Sequence, residues 1–337
     1  MGFEDMPPYE QAAWKHSLAV LHESGSRVTV PKKLRERVSS AASWVGGKVV
    51  ELPGADAARG IAERVFEGTL ALTFQPALRS TRPGSIAKRY AKRHPQVVSY
   101  EQIRALPLKD RDAMLPPKLG YTLGSAGQGA ATALAVTGAE VATTVTAGTT
   151  AVVAIGAVAA DAVASMAIMG RTIGAVATRY GYDVQLPDEE LFAMGVLSLG
   201  VAGSVSAKTR ALAALSRLTQ EMMRQATWKQ LNEHLFVQAI SKVYELLGLR
   251  LTHKKLAQTV PLVGVGLNAA LSAGLTERTF RRAQAVYRLR ALSEIYGIDP
   301  KEWTMGSPVS SADDDESREG AVDVMAMLDA ERDRPDR

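Results

Sequence analysis

The sequence predicts an all-α protein: a multi-helix bundle with a Gly/Ala-rich apolar helical hairpin in its middle and a disordered acidic C-terminal tail. Three observations predict it. Segment after segment spaces its apolar residues three and four apart, opens on Pro or acids, and closes on Gly or Pro. Polar alternation with flanking hairpin-turn signals is missing. Aromatics are only 6% of the chain and Gly alone contributes 28 residues, so the core is built mainly from Ala, Val, Leu and Ile with closely approaching backbones. At 337 residues the chain can fill one large core or two modest ones. We place the helical domain at residues 1–300 and the tail at 301–337.

The elements follow in order. Residues 7–25 form a helix with Tyr9, Ala12, Ala13, Leu18 and Leu21 near one face and Gly25 as its stop. Pro31 suits the first turn of a second helix, and 55–74 is an amphipathic run ended by Pro76. A basic connector, 79–96, contains a short helix, and EQIRALPLKDRDAML is a further short helical piece. The apolar region from Leu119 to about Tyr180 reads as two or three helices broken near Thr146–Thr150, where Gly148 and the threonines lower helix propensity. Pro187 and the acids at 188–190 open a helix to about 202 and complement its dipole. Helix continues from about Ala207 to Leu247 with an interruption near Thr227. A small-residue helix leading into a basic one covers 260–297. After Trp303 the composition becomes that of a disordered linker, and 319–333 has Val322, Met325 and Leu328 on one side of a short terminal helix.

The stretch VATTVTAGTTAVVAIGAVAA, residues 141–160, has no charge and is long enough to cross a bilayer. Its five Val and one Ile favour insertion by only about 0.3–0.6 kcal/mol each, and five Thr and two Gly oppose it. Gly156, Ala160, Ala164 and Gly170 form one small-residue seam, and Gly264, Asn268 and Ser272 another. A buried hairpin is therefore the first expectation, and lipid insertion the second.

Charge divides the chain. Residues 313–337 hold ten acids and four bases, so a net charge of +5 separates into about +11 on the body and −6 on the tail. Such a body suits an anionic membrane surface or a nucleic acid, with the tail as an internal competitor. The sharpest basic run is Arg79, Arg82, Lys88, Arg89, Lys92 and Arg93, with Tyr90 and His94 beside it. It suits phosphates of lipid headgroups. Nucleic acid is disfavoured as a partner, because no stacking platform or recognisable module accompanies the charge.

No cysteine is present, which excludes disulfides, thiolate metal sites and cysteine nucleophiles. The start, MGFEDMPPYE, is acidic and has no secretory apolar core, and Met6 stands where a myristoylation signal needs Ser or Thr. We expect a cytoplasmic protein, peripheral to or partly inserted in the cytoplasmic membrane. The five histidines lie in separate segments, so no metal is expected. GVGLNA, 264–269, lacks the strand and the distant acid of a dinucleotide site, with Leu289 where the acid belongs. No cofactor is expected.

Asp161 stands between GAVAA and AVASMAIMG. A carboxylate there must be paired, hydrogen-bonded or protonated, because desolvation alone costs several kcal/mol, roughly. Arg171 is about 80° away around an ideal helix, and Arg179 is on the same face but five turns away, roughly, so a partner on another helix or an N-cap role is expected.

These residues resemble the EcsC family. The likeness runs through Asp161, Arg171, the RYGYD ending with Tyr180, Gly181 and Asp183, then Pro187 and Glu189; a second block carries Pro261, Gly264 and Asn268, and an early helix carries Tyr9 and Trp14. It covers roughly residues 7–297. Ala162 and Val163 stand where family members often have a proline. The resemblance implies a membrane-linked accessory role near ABC transport or secretion, with no settled activity. The leading expectation is thus a non-enzymatic, membrane-associated accessory protein whose partner is an anionic membrane surface or a membrane protein, an ABC transporter among them. Asp161, Arg171, Tyr180, Asp183 and Asn268 are the candidate polar residues. The alternatives are a hydrolase acting on lipid or peptide through Asp161, and a basic helical nucleic-acid-binding protein.

Overall fold

The computed structural model describes residues 2–23, 73–116, 150–202, 204–224, 235–243, 246, 265–305 and 322–333, with side chains described from 165 and from 274 in the two longest helices. Helices are α1 (Pro8–His22), α2 (Pro83–Ala91), α3 (Leu108–Ala113), α4 (Thr150–Arg179), α5 (Pro187–Val201), α6 (Val205–Met223), α7 (Val265–Tyr296) and α8 (Val324–Arg332). Short 3₁₀ turns cover Glu101–Ala105 and Pro300–Thr304, and residues 73–78 and 235–243 are helical. No strand occurs among the described residues. The all-α expectation holds.

Sequence signals account for the helix ends. Pro8, Pro83 and Pro187 stand in first turns, where the missing N–H is no loss. Ser204 accepts the Ala207 N–H to cap α6, and Asp323 accepts those of Met325 and Ala326 to cap α8. α1 ends at His22 rather than at Gly25, and the carbonyl of the next residue, Glu23, is taken by the Lys208 ammonium of α6.

The central helix is α7, which packs against α1, α4 and α5. α5 is buried from Glu189 through Gly200 on every side, enclosed by α4, α6, α7 and α8. Its run LFAMGVLSLGV has no polar face beyond Ser198, the pattern of a helix inside a core. Close approach is bought with glycine. A Cβ at Gly195 would fall 2.7 Å from Leu215 of α6, and one at Gly170 would fall 2.7 Å from the Phe74 carbonyl. At Gly174 a Cβ would overlap the Leu78 carbonyl oxygen. Gly170 and Gly174, four apart, thus seat the 73–78 segment on α4. Gly170 belongs to the expected small-residue seam, and Gly174 extends it. Side chains of Gly156, Ala160, Ala164, Asn268 and Ser272, and residue 264, lie outside the described residues, as do residues 141–149.

One face is rotated from expectation. Tyr9 is 41% exposed and Ala12 is exposed, while α1 buries Glu10, Ala13, Trp14, Ser17, Val20 and Leu21. The reason is Glu10. Its carboxylate accepts the Leu108 N–H at 3.2 Å and the Tyr296 hydroxyl at 2.6 Å, so an acid occupies the buried side and turns Tyr9 outward.

The C-terminal segment docks. Ser198 Oγ donates to the Val322 carbonyl and accepts its N–H, both buried, and Val322, Val324, Met325 and Leu328 lie in the core. Trp303 is fully buried and donates to Ser293 Oγ. Packing therefore continues past residue 300. Leu328→Ala is expected to destabilise the protein by about 2–5 kcal/mol in denaturant melts; a loss under about 1 kcal/mol would mean that α8 does not cover α5.

Candidate functional site

Two polar clusters surround the RYGYD stretch, and a third polar region lies at the far end of α5. The stretch itself ends α4. Gly181 has φ +89°, and the Tyr182 and Gly181 N–H groups bond back to the carbonyls of Ala177 and Thr178. That is a Schellman turn, with glycine at the left-handed position. A Cβ on Gly181 would also meet Arg104 Cγ at 2.8 Å. Two tyrosines cap the same helix end: Tyr90 of α2 donates to the Arg179 carbonyl at 2.7 Å and Tyr100 to that of Thr178 at 3.0 Å. Burial pushes the Tyr90 and Tyr100 hydroxyls well above their ordinary value, so both remain donors.

In the first cluster Arg290 of α7 grips Glu189 of α5 through two 2.7 Å bonds and Glu294 through a third at 2.9 Å. Arg104 reaches Glu189 from the surface at 3.1 Å. The Tyr182 ring lies between the two guanidiniums, 4.1 Å from Arg290 and 4.3 Å from Arg104, and its hydroxyl donates to Glu294. Burial pushes the Glu189 carboxyl up while Arg290 pulls it down; burial works against the Arg290 charge, but Glu189 and Glu294 hold it above its usual value. The bidentate fork is the geometry of an ionised carboxylate, so we take the pair as charged.

The second cluster centres on Asp112 of α3. It accepts the hydroxyls of Tyr9 and Tyr180 and a two-pronged contact from Arg288 at 3.0 Å. Burial, then the Asp112 bond, push Tyr9 up to about 12 and Tyr180 further above its ordinary value. Tyr287 sits between the two clusters, stacked on Tyr180 and tilted against Tyr182 and Phe192. Apart from the Tyr287 hydroxyl, which is buried without a hydrogen-bond partner, these groups spend their hydrogen bonds on each other, tying α1, α3, α5 and α7 to the end of α4.

A third polar region is cationic. The Arg282 guanidinium reaches the Leu199, Gly200 and Ala202 carbonyls at 2.6, 3.1 and 3.4 Å, closing the C-terminus of α5. Arg278, Arg281, Glu23 and Val20 join it around a shallow recess open to solvent, beside Lys208.

Expected site residues fare differently. Tyr180 is buried on Asp112, whereas Asp183 caps a turn by accepting the Gln185 N–H. Arg171 is exposed, and Arg179 donates to the Ala175 carbonyl of its own helix. The side chains of Asp161 and Asn268 lie outside the described residues, so the hydrolase reading gains no geometry. In the basic run, Arg79 is taken up by the buried Glu190. Arg82, Lys88, Arg89, Lys92 and Arg93 are exposed, with no carboxylate partner among the described residues. Sequence reasoning missed Arg290, Asp112, Arg288, Arg104 and Tyr287. The available signal was charge set inside apolar helix, as in Leu289-Arg290-Ala291-Leu292.

Among the described residues no group of three or more His, Asp or Glu is placed to hold a metal, and no helix is long and apolar enough to cross a membrane. No curated protein and no solved structure matches the chain. The profile of the EcsC protein family matches residues 62–292. With more than half of its length inside that match, from the residues before the Gly170–Gly174 seat to the Arg290 cluster, the chain belongs to the EcsC family.

Proposed function

We propose that the protein is a non-enzymatic accessory factor that works at an anionic membrane surface, in association with a membrane protein such as an ABC transporter or secretion component. The observation that carries the reading is the face of α2 and the loop after it. Arg82, Lys88, Arg89, Lys92 and Arg93 are exposed, no acid occurs between residues 79 and 98, and Val98 is 86% exposed beside them. A run of exposed cations followed along the chain by an exposed aliphatic residue suits a headgroup layer, the charges for phosphates and the valine for the apolar boundary. Tyr90, the aromatic in this run, is fully buried and spends its hydroxyl on α4. It offers no stacking platform, which favours lipid over nucleic acid.

Each surface cation contributes about 1 kcal/mol near an anionic leaflet. Replacing Lys88, Arg89, Lys92 and Arg93 by Gln is therefore expected to weaken flotation with phosphatidylglycerol vesicles roughly 1,000-fold at low salt. Binding should also fall steeply between low and physiological ionic strength. Wild-type protein that stays at the bottom of the gradient, or a quadruple variant that floats as well as wild type, would defeat the reading.

A further inference from the structure

The cationic recess between α1, α6 and α7 is separate from the α2 face. Arg290 meets Glu189 at the start of α5 while Arg282 meets Leu199 and Gly200 at its end, so α5 and α7 run antiparallel. The α2 face belongs to the first of these ends, through Tyr90 and the end of α4, and the recess to the second. Fifteen residues of α5 separate them, about 20 Å.

Three cations line the recess, Arg278, Arg281 and Arg282, and a fourth, Lys208, stands behind them on the Glu23 carbonyl. Opposing them are the Glu23 carboxylate, 3.3 Å from Arg281, and the C-terminal ends of α1 and α5, each equivalent to about half a negative charge. Among the described residues about two positive charges are left unmatched. The strain registers on the inner pair. Burial first, then neighbouring arginines, lower Lys208 to about 8 and Arg282 to about 10, with Glu23 pulling the other way. Lys208 and Arg282 are explained by the helix ends that they close. Arg278 is not: it is half-buried and has no carboxylate partner among the described residues, while the half-buried Arg281 holds only the exposed Glu23. The recess is shallow and open to solvent, so it suits one compact anionic group resting on the guanidiniums rather than an enclosed ligand.

We infer that the recess is a binding site for a phosphate group, carried by a lipid headgroup or by a small phosphorylated molecule, with Arg278 and Arg281 as its clamp and Arg282 and Lys208 as its floor. Two guanidiniums presenting forked donors match phosphate oxygens, and the anion supplies the charge that the fold leaves unmatched.

The test uses full-length protein and inorganic phosphate, with thermal melting followed at constant ionic strength against chloride. Phosphate is expected to raise the melting temperature along a saturating curve, and Arg278→Gln with Arg281→Gln to shift its midpoint at least tenfold upward. These two residues close no helix end, so the variant keeps its fold. A second arm uses phosphatidylcholine vesicles with and without phosphatidic acid, in the α2 quadruple-variant background, where the α2 face no longer holds the protein to an anionic surface. If the source is a headgroup, adding Arg278→Gln and Arg281→Gln abolishes the remaining phosphatidic acid-dependent flotation and phosphate competes with it; if it is a free molecule, only the phosphate titration changes. Either result supports the site. A phosphate response that never saturates, or that is the same in wild type and double variant, would overturn it. The α2 quadruple variant keeps the phosphate titration intact, so the membrane reading and this one fail separately.

Discussion

Gly174→Ala is expected to destabilise the protein by about 3 kcal/mol, although alanine is the better helix former by about 1 kcal/mol. The new methyl would overlap the Leu78 carbonyl oxygen, a backbone atom that moves only if the 73–78 helix is lifted from α4. Lifting it uncovers Phe74 and Leu78, both fully buried, and separates Arg79 and Gln75 from Glu190. For a chain of this size the loss corresponds to a fall in melting temperature of roughly 4 °C. Gly84→Ala is the control, because nothing lies within 4 Å of a Cβ there. It should be neutral or stabilising by up to about 1 kcal/mol. Equal melting temperatures for the two variants would show that the 73–78 segment does not rest on α4.

Arg290→Met is expected to cost about 3–5 kcal/mol, because it strands Glu189 in the core with only Arg104, itself largely exposed, as counter-ion. The loss should depend on pH with a definite sign. Without Arg290 the buried Glu189 carboxyl takes up a proton more readily in the folded than in the unfolded state. The variant's deficit against wild type therefore narrows as pH falls through the folded pKa of Glu189 and is largest above it. Adding Glu189→Gln removes the stranded charge, so the double variant should be more stable than Arg290→Met alone. Urea melts of the four proteins at neutral and acidic pH measure this. Additive losses, or an Arg290→Met deficit that does not change with pH, would place the stabilisation in packing rather than in the ion pair.

Proline at 8 and 83 and the capping Ser204 and Asp323 act within one turn, yet they were not singled out: helix was expected from about Ala207 and from 319. The start of α5 was legible, because Pro187 and the acids after it are a local signal. The use of the acids at the start of α5 was not. They read as complements to the helix dipole, yet Glu189 and Glu190 are buried partners of Arg290 and Arg79, each about 100 residues away in sequence. Nothing within a helical turn of Glu189 distinguishes it from a solvated acid. The RYGYD stretch was picked out as a candidate site, and Tyr180 and Asp183 prove to hold a helix end and a turn together. Its peculiar residues follow from closing α4 in a Schellman turn under two tyrosines. The basic run was legible as charge, but the loss of Arg79 to Glu190 required knowing that Gly174 admits the 73–78 segment.

The enclosure of α5 has a consequence for biosynthesis. The helix leaves the ribosome apolar on nearly all sides, yet its last cover, Val322 to Leu328, is made more than a hundred residues later. α1 likewise waits for α7, some 250 residues downstream, before Trp14 and Leu21 can be shielded. At about 5–20 residues per second these faces stay open for many seconds. Until α7 and α8 have been made, these apolar faces are open to aggregation.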